Sequence, residues 1–252
     1  MIRVAIVTGA SSGIGRATIL RLAKDGMAVF AVGRDDKALD QVCQEVVAAG
    51  GEAERLVADV TARDSPQRIV SGATARWGGV DALVNAAGII ASASVADTTD
   101  DAFDVMMDIN VRASFRLIRE AVPALSERQG AVVNLSSVAG TRSFPGLLAY
   151  CVSKAAVDQL TRCAALDLAP QRVRVNAVNP GVVITNLHKR GGMDDARYAA
   201  FLEHSKATHP LGRAGTPEEV ADLIAFLVSP VAGWITGETI SIDGGRHLTC
   251  LR

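Results

Sequence analysis

The sequence lacks the features of several common protein classes. Aromatic residues make up only 4% of the chain, and its four cysteines, at positions 43, 151, 163 and 250, form no CxxC pair. This spacing is not that of a disulfide-stapled secreted domain, so the cysteines are predicted to be reduced thiols. The four histidines, at positions 188, 204, 209 and 247, show no metal-binding spacing, and no metal site is predicted.

An excess of positive charge and long apolar runs are also absent. Lys and Arg total 26 against 27 Asp and Glu, so neither nucleic acid nor an anionic membrane is expected as a partner. The N-terminal stretch MIRVAIVTGA lacks the apolar core of a secretory leader. No run approaches the about 18 apolar residues of a membrane-spanning helix. We therefore expect a cytoplasmic protein.

The chain does have apolar residues, 49% of the total, which is enough for a substantial core. Short β-branched runs alternate with segments of helical period, a pattern typical of a parallel sheet with helices on both faces. The sequence predicts one α/β domain over residues 1–252, with a doubly wound sheet of seven parallel strands. The predicted strands are Val4–Thr8, Ala28–Val32, Ala53–Val57, Ala82–Asn85, Ala131–Leu135, Arg174–Val178 and Thr239–Ile242. The predicted helices include Gly15–Asp25, Asp36–Ala49, Asp101–Leu125, Ser153–Leu168 and Pro217–Leu227.

One long segment interrupts this alternation. Residues 184–215 are rich in glycine, histidine and charge, and show no clear strand. Long insertions of this kind often cover a binding site and move with it. We interpret residues 184–215 as a substrate lid and refer to them as the lid segment.

Three glycines, Gly9, Gly13 and Gly15, follow the first strand and lead directly into a helix. Glycine permits a tight turn and a close approach of the backbone to a ligand, and the N-terminus of the helix attracts negative charge. In this position the glycines favour a dinucleotide-binding loop over an ordinary strand-to-helix connection.

The residue after the second strand discriminates between nicotinamide dinucleotides. An acidic side chain there binds the ribose hydroxyls of NAD, whereas an arginine suits the 2′-phosphate of NADP. Arg34 therefore favours NADP(H). Asp35 and Asp36 follow at once and could bind ribose instead, so NAD(H) stays possible.

Tyr150 and Lys154 are four residues apart, so a helix places both side chains on one face. A nearby ammonium is expected to favour the phenolate and lower the pKa of the tyrosine. Ser137 follows the strand Ala131–Leu135, at the sheet edge where ligands bind. Its neighbour Ser136 could be the functional hydroxyl instead, but side-chain alternation and spacing favour Ser137.

Together these motifs resemble the short-chain dehydrogenase/reductase family. The resemblance includes TGxxxGxG at residues 8–15, NAAG at residues 85–88, Ser137, and the pair Tyr150 and Lys154. It extends to the Asn-Pro-Gly triplet at residues 179–181 and covers most of the chain. The second residue of NAAG departs from the commoner NNAG, but a small side chain still lets the backbone approach a cofactor.

The resemblance implies a Rossmann fold and an NAD(P)(H)-dependent oxidoreductase that interconverts a carbonyl and a secondary alcohol. Among its members the 3-oxoacyl-[acyl-carrier-protein] reductase group is the most similar, with NADP(H) favoured. Two alternatives stay open: an NAD-preferring dehydrogenase of a sugar or cyclic alcohol, and a scaffold that senses dinucleotide without turnover. Like its relatives, the protein is expected to form a homotetramer, or a dimer.

Residue roles follow from the same resemblance. Ser137 orients the substrate oxygen, Tyr150 is the acid/base, Lys154 lowers the pKa of the tyrosine and binds the nicotinamide ribose, and Asn110 holds a water in a proton relay. The expected dinucleotide contacts are Gly9, Ser11, Ser12, Gly13, Ile14, Gly15, Arg34, Asp59, Val60, Asn85, Ala86, Gly88, Tyr150, Lys154, Pro180, Gly181, Val183 and Thr185.

Overall fold

The computed structural model describes residues 2–249, so Cys250 lies outside the described residues. Its centre is a parallel sheet of seven strands in the order β3-β2-β1-β4-β5-β6-β7. The strands are β1 (Val4–Thr8), β2 (Ala28–Gly33), β3 (Ala53–Val57), β4 (Ala82–Asn85), β5 (Ala131–Leu135), β6 (Arg174–Pro180) and β7 (Thr239–Ile242). The predicted fold class and all seven predicted strands are confirmed, and β2 and β6 run one and two residues further than predicted.

Helices cover both faces of the sheet. They are α1 (Gly13–Lys24), α2 (Asp36–Ala48), α3 (Ser65–Trp77), α4 (Asp100–Met107), α5 (Ala113–Arg128), α6 (Leu148–Leu168), α7 (Leu187–Arg190), α8 (Asp195–Thr208) and α9 (Pro217–Val228). One core layer lies between the sheet and α1, α2 and α9, and the other between the sheet and α3, α5 and α6. Strands β1, β2 and β4 are buried along their whole length because they have helices on both sides.

The predicted helix Ser153–Leu168 in fact begins at Leu148. Serine is a common residue at the N-cap of a helix, which makes Ser153 an attractive start. In the structure Ser153 is instead an interior residue, and its hydroxyl donates a hydrogen bond to the Tyr150 carbonyl at 2.8 Å. The earlier start places Tyr150 in the first turn of α6.

The predicted helix Asp101–Leu125 is not continuous. It divides into α4 and α5, which are joined by a π-helical turn at Asp108–Arg112. A π turn contains an extra residue that 3.6-residue periodicity does not reveal, and such turns are frequent at functional sites. Asn110, one of the predicted site residues, lies at its centre and is buried.

The lid segment contains α7 and α8. Its two ends are held together by a bridge between Val183 and Gly215. Tyr198 of α8 anchors it internally, because its hydroxyl donates to the Thr185 carbonyl at 2.8 Å and accepts from the Thr185 amide at 3.2 Å. Within residues 2–249 no helix has the length and hydropathy that a membrane span requires.

The strand order reverses between β1 and β4, which are hydrogen-bonded neighbours. In such sheets the loops at the carboxyl ends of the two strands separate to opposite faces and leave a crevice between them. The crevice here lies beyond Thr8 and Asn85, next to the loops that follow β5 and β6.

Candidate active site

The loop after β1 is built for close backbone packing. Gly9 has a φ of +65°, and a Cβ at this position would lie only 2.8 Å from the Ala86 carbonyl oxygen. A Cβ on Gly15 would overlap the Gly9 carbonyl oxygen. Any larger residue would therefore push this loop away from the loop after β4, and the crevice between the two would change shape.

The N-terminus of α1 opens into the same crevice. Its N-cap residue, Ser12, makes no side-chain capping bond, and the first turn contains no acidic residue. The first N–H groups of a helix have no partner within the helix and attract anions. The glycine turn and this helix end therefore fit the pyrophosphate of a dinucleotide.

At the far end of the crevice, Arg34 is exposed just after β2. The two carboxylates that follow it are engaged elsewhere: Asp35 caps α2 by accepting from the Ala38 amide at 3.1 Å, and Asp36 pairs with Arg55 at 2.9 Å. Beside Arg34, hydrogen bonds from Thr61 lower the pKa of Asp59, and the Arg34 charge acts in the same direction. Val60 is buried behind them.

Ser137, Tyr150 and Lys154 meet beyond the end of β5. The Ser137 side chain acts on Tyr150 in the direction that lowers the pKa of the phenol, and the Ser137 oxygen accepts from the Ala139 amide at 3.1 Å. Lys154 lies one turn beyond Tyr150 on α6, with its Nζ 5.7 Å from the centre of the Tyr150 ring. That Nζ donates to the Leu135 carbonyl at 2.7 Å. The adjacent Ser136 hydroxyl is occupied by the Lys154 carbonyl at 3.1 Å.

The electrostatics of this trio differ from the sequence-based expectation. Burial raises the pKa of Tyr150 to about 12, although the Ser137 side chain acts in the opposite direction. Burial also lowers the pKa of Lys154 to about 8, against the attraction of Asp158. The expected lowering of the tyrosine pKa by the lysine is therefore absent, and desolvation of the phenolate is the largest effect on Tyr150.

Asn110 is brought to the same region by the π turn. Its Oδ1 accepts from the Ile89 amide at 2.9 Å, and its Nδ2 donates to the Ile89 carbonyl at 3.1 Å and to Ser153 Oγ at 3.0 Å. A Cβ built on Gly88 would lie 3.2 Å from Asn110 Oδ1 and 3.7 Å from Lys154 Nζ. Asn110 and Lys154 thus approach each other across Gly88.

The remaining predicted cofactor residues lie along the two walls of the crevice. The Asn85 side chain is directed into the core, where its Nδ2 donates to Asn134 Oδ1 at 2.9 Å, so only its backbone is free to face a ligand. Opposite, Thr185 packs near Gly13. The predicted residues that line the central cavity are Ile14, Ala86, Gly88, Tyr150, Lys154, Pro180, Gly181, Val183 and Thr185.

Two supporting residues were not predicted from the sequence. Asp158 is buried and accepts from Asn179 Nδ2 at 3.0 Å, while the same Nδ2 donates to the Ser137 carbonyl at 3.1 Å. His209 Nε2 accepts from the Val182 amide at 3.1 Å and holds the turn after β6. Asp158 lies four residues beyond Lys154 on α6, and residues four apart share a helix face, so the spacing offered a signal for it. No feature of the sequence pointed to His209.

The crevice widens into a cavity of about 490 Å³ between these residues and the lid segment. Leu187, Met193 and Phe201 of the lid segment supply apolar surface on one side, and Phe144 and Leu147 on the other. Ser137, Tyr150 and Lys154 lie on its wall. Across residues 2–249, no group of three or more His, Cys, Asp or Glu side chains is placed to hold a metal ion.

Comparison with known proteins gives a consistent result. A family model described as enoyl-(acyl carrier protein) reductase matches residues 9–247. The 3-oxoacyl-[acyl-carrier-protein] reductase FabG of Thermotoga maritima is 37% identical over 96% of this chain and 97% of its own. The chain belongs to the short-chain dehydrogenase/reductase family. FabG of Staphylococcus aureus is 36% identical over 98% of this chain and 99% of its own.

Solved structures of the short-chain dehydrogenase/reductase family have the same fold. One of unknown function from Caenorhabditis elegans, determined with cofactor, has a TM-score of 0.91 and 35% identity over 98% of this chain and 96% of that one. Another, from Mycobacterium marinum, has a TM-score of 0.90 and 34% identity over 98% of this chain and 96% of that one. The protein is accordingly an oxidoreductase that interconverts carbonyls and alcohols with NAD(P).

Proposed function

We propose that the protein reduces the 3-oxo group of an acyl substrate with NADPH. The names of its FabG relatives, which are 3-oxoacyl-[acyl-carrier-protein] reductases, support the 3-oxo group. The observation that carries the proposal is that Ser137, Tyr150 and Lys154 lie together on the wall of a cavity that adjoins the glycine turn, with Lys154 one turn beyond Tyr150. Two hydroxyls that converge on one point are suited to hold a carbonyl oxygen.

Each residue then has a distinct task. A bound nicotinamide dinucleotide supplies the hydride. Ser137 donates a hydrogen bond to the carbonyl oxygen, and Tyr150, which is protonated at neutral pH because its pKa is about 12, donates the proton. Lys154 orients the cofactor ribose, and Asn110 holds the loop after β4 in place around it. The apolar walls exclude water from the reacting atoms.

The serine assignment can be tested against its neighbour. Ser137→Ala is expected to lower kcat by roughly 100-fold, the usual effect of losing one hydrogen-bond donor to a developing oxyanion. Ser136→Ala is the matched control, because its hydroxyl is directed to the Lys154 carbonyl, and it should lower kcat less than about tenfold. Steady-state kinetics of both variants decides the matter. A larger loss in Ser136→Ala would assign the role to Ser136.

We also propose a preference for NADPH over NADH. It is supported by the exposed Arg34, and by Asp35 and Asp36 being occupied as a helix cap and an ion pair rather than open to ribose. Arg34→Leu should lower kcat/KM for NADPH by about 10- to 100-fold, the value of one charge-assisted bond to phosphate, and change that for NADH less than about threefold. Wild-type protein that works better with NADH would contradict the assignment and favour a sugar or cyclic-alcohol dehydrogenase.

We also propose that the protein is a homotetramer and lies in the cytoplasm. Two helices present apolar side chains to solvent: Val152 and Leu166 on α6 are 40% and 78% exposed, and Phe226 on α9 is 41% exposed. Trp234, just after α9, is fully exposed. Apolar patches on two separate surfaces support two kinds of subunit contact, which is what a tetramer with dihedral symmetry requires. Light scattering of the purified protein measures the mass of the assembly.

A further inference from the structure

One wall of the cavity carries a cation to which the proposed mechanism gives no task. Arg246 begins the short helical turn Arg246–Leu248 after β7, and it lines the cavity. The residue is only 8% exposed. An arginine side chain stays protonated in proteins, so a permanent positive charge is buried at this position.

The guanidinium is poorly satisfied by the protein. It has five N–H donors, yet within residues 2–249 its only hydrogen bond goes from Nη1 to Thr208 Oγ1, at 3.3 Å. Its Nε is buried without a partner. Asp243, three residues earlier, accepts instead from the amides of Gly245 and His247 and from the His247 ring. The Asp243 carboxylate attracts the Arg246 charge, but within residues 2–249 the guanidinium forms no ion pair. A buried charge with unused donors is costly, so the arrangement points to an anion supplied from outside.

The position of Arg246 is fixed on the substrate side of the cavity. Its guanidinium lies 5.0 Å from the centre of the Phe144 ring. Phe144 belongs to the connection between β5 and α6, which also contains Ser137 and leads to Tyr150. Thr208, the hydrogen-bond partner of Arg246, is the last residue of α8 in the lid segment. Arg142 Nη1 donates to the Arg246 carbonyl at 3.0 Å and to the His247 carbonyl at 3.2 Å, and these bonds hold the backbone of the Arg246 turn in place.

The surroundings have the same sign of charge. Lys154 and Arg197 also line the cavity, whereas none of the described lining residues is an aspartate or a glutamate. His188 lines it too but adds no charge at neutral pH, because burial lowers its pKa. Cavities lined by one sign of charge concentrate ligands of the opposite sign. An anionic substrate is therefore favoured over a neutral one.

We propose that Arg246 binds an anionic group of the substrate, so that the protein reduces an oxo acid or an oxo phosphate, and differs in this from relatives that are named for a 3-oxoacyl thioester of acyl carrier protein. This inference rests on the proposed function, since Ser137 and Tyr150 hold the carbonyl at the other end of the same molecule. Carboxylate and phosphate both match the planar fork of arginine, which can pair with two of their oxygens at once. A neutral ester or thioester leaves the buried charge unpaired.

The test compares acids with their neutral analogues. The acids are acetoacetate, 4-oxopentanoate and 5-oxohexanoate, each set against its methyl ester, and acetoacetyl-N-acetylcysteamine is the neutral thioester. Dihydroxyacetone phosphate is compared with dihydroxyacetone to test whether a phosphate is preferred. In wild type at least one anion should exceed its neutral partner in kcat/KM with NADPH by about 30-fold or more, as expected for a desolvated charge-assisted pair. The preferred anion shows whether the group that Arg246 binds is a carboxylate or a phosphate.

Two variants assign the effect to the residue. Arg246→Met should lower kcat/KM for the preferred anion by about 30-fold or more and leave its neutral partner within about threefold, whereas Arg246→Lys keeps part of the preference. Arg190→Met is the matched control, because Arg190 is an exposed arginine of the lid segment that does not line the cavity, and its effect should stay below about threefold. Thermal melting checks that each variant is folded. If Arg246→Met does not fold, Arg246→Lys is used as the test variant.

Calorimetric titration separates this inference from the proposed function. Wild type should bind 4-oxopentanoate more tightly than its methyl ester in the absence of turnover. Arg246→Met should lose this difference, and Arg246→Lys should keep part of it. If the acid binds in this way but no carbonyl is reduced, the proposed function fails and the anion site stands. If carbonyls are reduced but the neutral compounds are preferred, or the Arg246 variants weaken acid and ester alike, the anion site is refuted and the reductase stands.

Discussion

Replacing Tyr150 with phenylalanine is expected to lower kcat by about 1,000-fold, in the upper part of the range for loss of a general acid. The variant removes the phenolic proton but keeps the ring, which packs against Met106 and Ala149 in a small buried cluster. The affinity for NADPH, measured by the change in its fluorescence on binding, should stay within about threefold, because the hydroxyl is a minor part of a large contact surface.

The protein has a natural control for this experiment, since it contains two tyrosines. Within residues 2–249 the Tyr198 hydroxyl bonds only to the Thr185 backbone in the lid segment, so Tyr198→Phe removes the same atom away from the reacting groups. It should change kcat less than about tenfold, as loss of one neutral hydrogen bond does. Comparable activity in Tyr150→Phe and wild type would mean that another group donates the proton, or that the chain binds a dinucleotide without turnover.

Lys154→Met is expected to make the protein inactive and more stable at once. Burial lowers the pKa of Lys154 to about 8 from its ordinary 10.5, so at neutral pH the folded state holds an ammonium that is better solvated in the unfolded chain. Each unit of pKa shift corresponds to about 1.4 kcal/mol, which gives a cost of about 3 kcal/mol below pH 8. Loss of the hydrogen bond to Leu135 offsets about 1 kcal/mol of the gain.

The sign of this effect sets its pH dependence. Between about pH 8 and 10.5 the unfolded state binds more protons than the folded state, so wild type gains stability as the pH rises and the advantage of Lys154→Met shrinks. Urea unfolding should show the variant more stable by about 2 kcal/mol at pH 7 and little different near pH 10. Activity should fall by at least about 100-fold at pH 7, where the cofactor ribose loses a charged ligand.

Lys24→Met, on the exposed last turn of α1, is the matched control for charge removal. Its free energy of unfolding should stay within about 0.5 kcal/mol of wild type, as for most surface substitutions. If Lys154→Met is destabilised at pH 7, the attraction between Lys154 and the buried Asp158 outweighs the desolvation of the ammonium. The electrostatic account of this site would then be wrong.

The strands were predictable because a parallel sheet buries both faces, and buried strands appear as short continuous apolar runs such as Val4–Thr8. Helix ends were less predictable. Ser153 has the residue type of an N-cap but lies inside α6, where it bonds to Asn110 from a distant segment. The π turn around Asn110 leaves the composition of its segment unchanged, and it depends on the fit of that segment against its neighbours.

The residues of the site also differ in how far the sequence could predict them. The glycine turn, the Tyr150 and Lys154 pair, and the strand-end Ser137 were recognisable because their chemistry depends on residue type and on spacing within one element. Asp158 could have been found from its place four residues beyond Lys154, but its link to Asn179 joins two elements. Arg246 has no sequence signal at all, since its neighbours Phe144 and Thr208 are far away along the chain.

By itself, the order of residues determined the layered sheet and the class of reaction, because local periodicity and short motifs encode these directly. Only the folded chain decided the ionisation of Tyr150 and Lys154, and only there does the unpaired charge of Arg246 face the cavity. Burial and the convergence of distant segments produce both properties, and neither is a property of any single stretch of sequence.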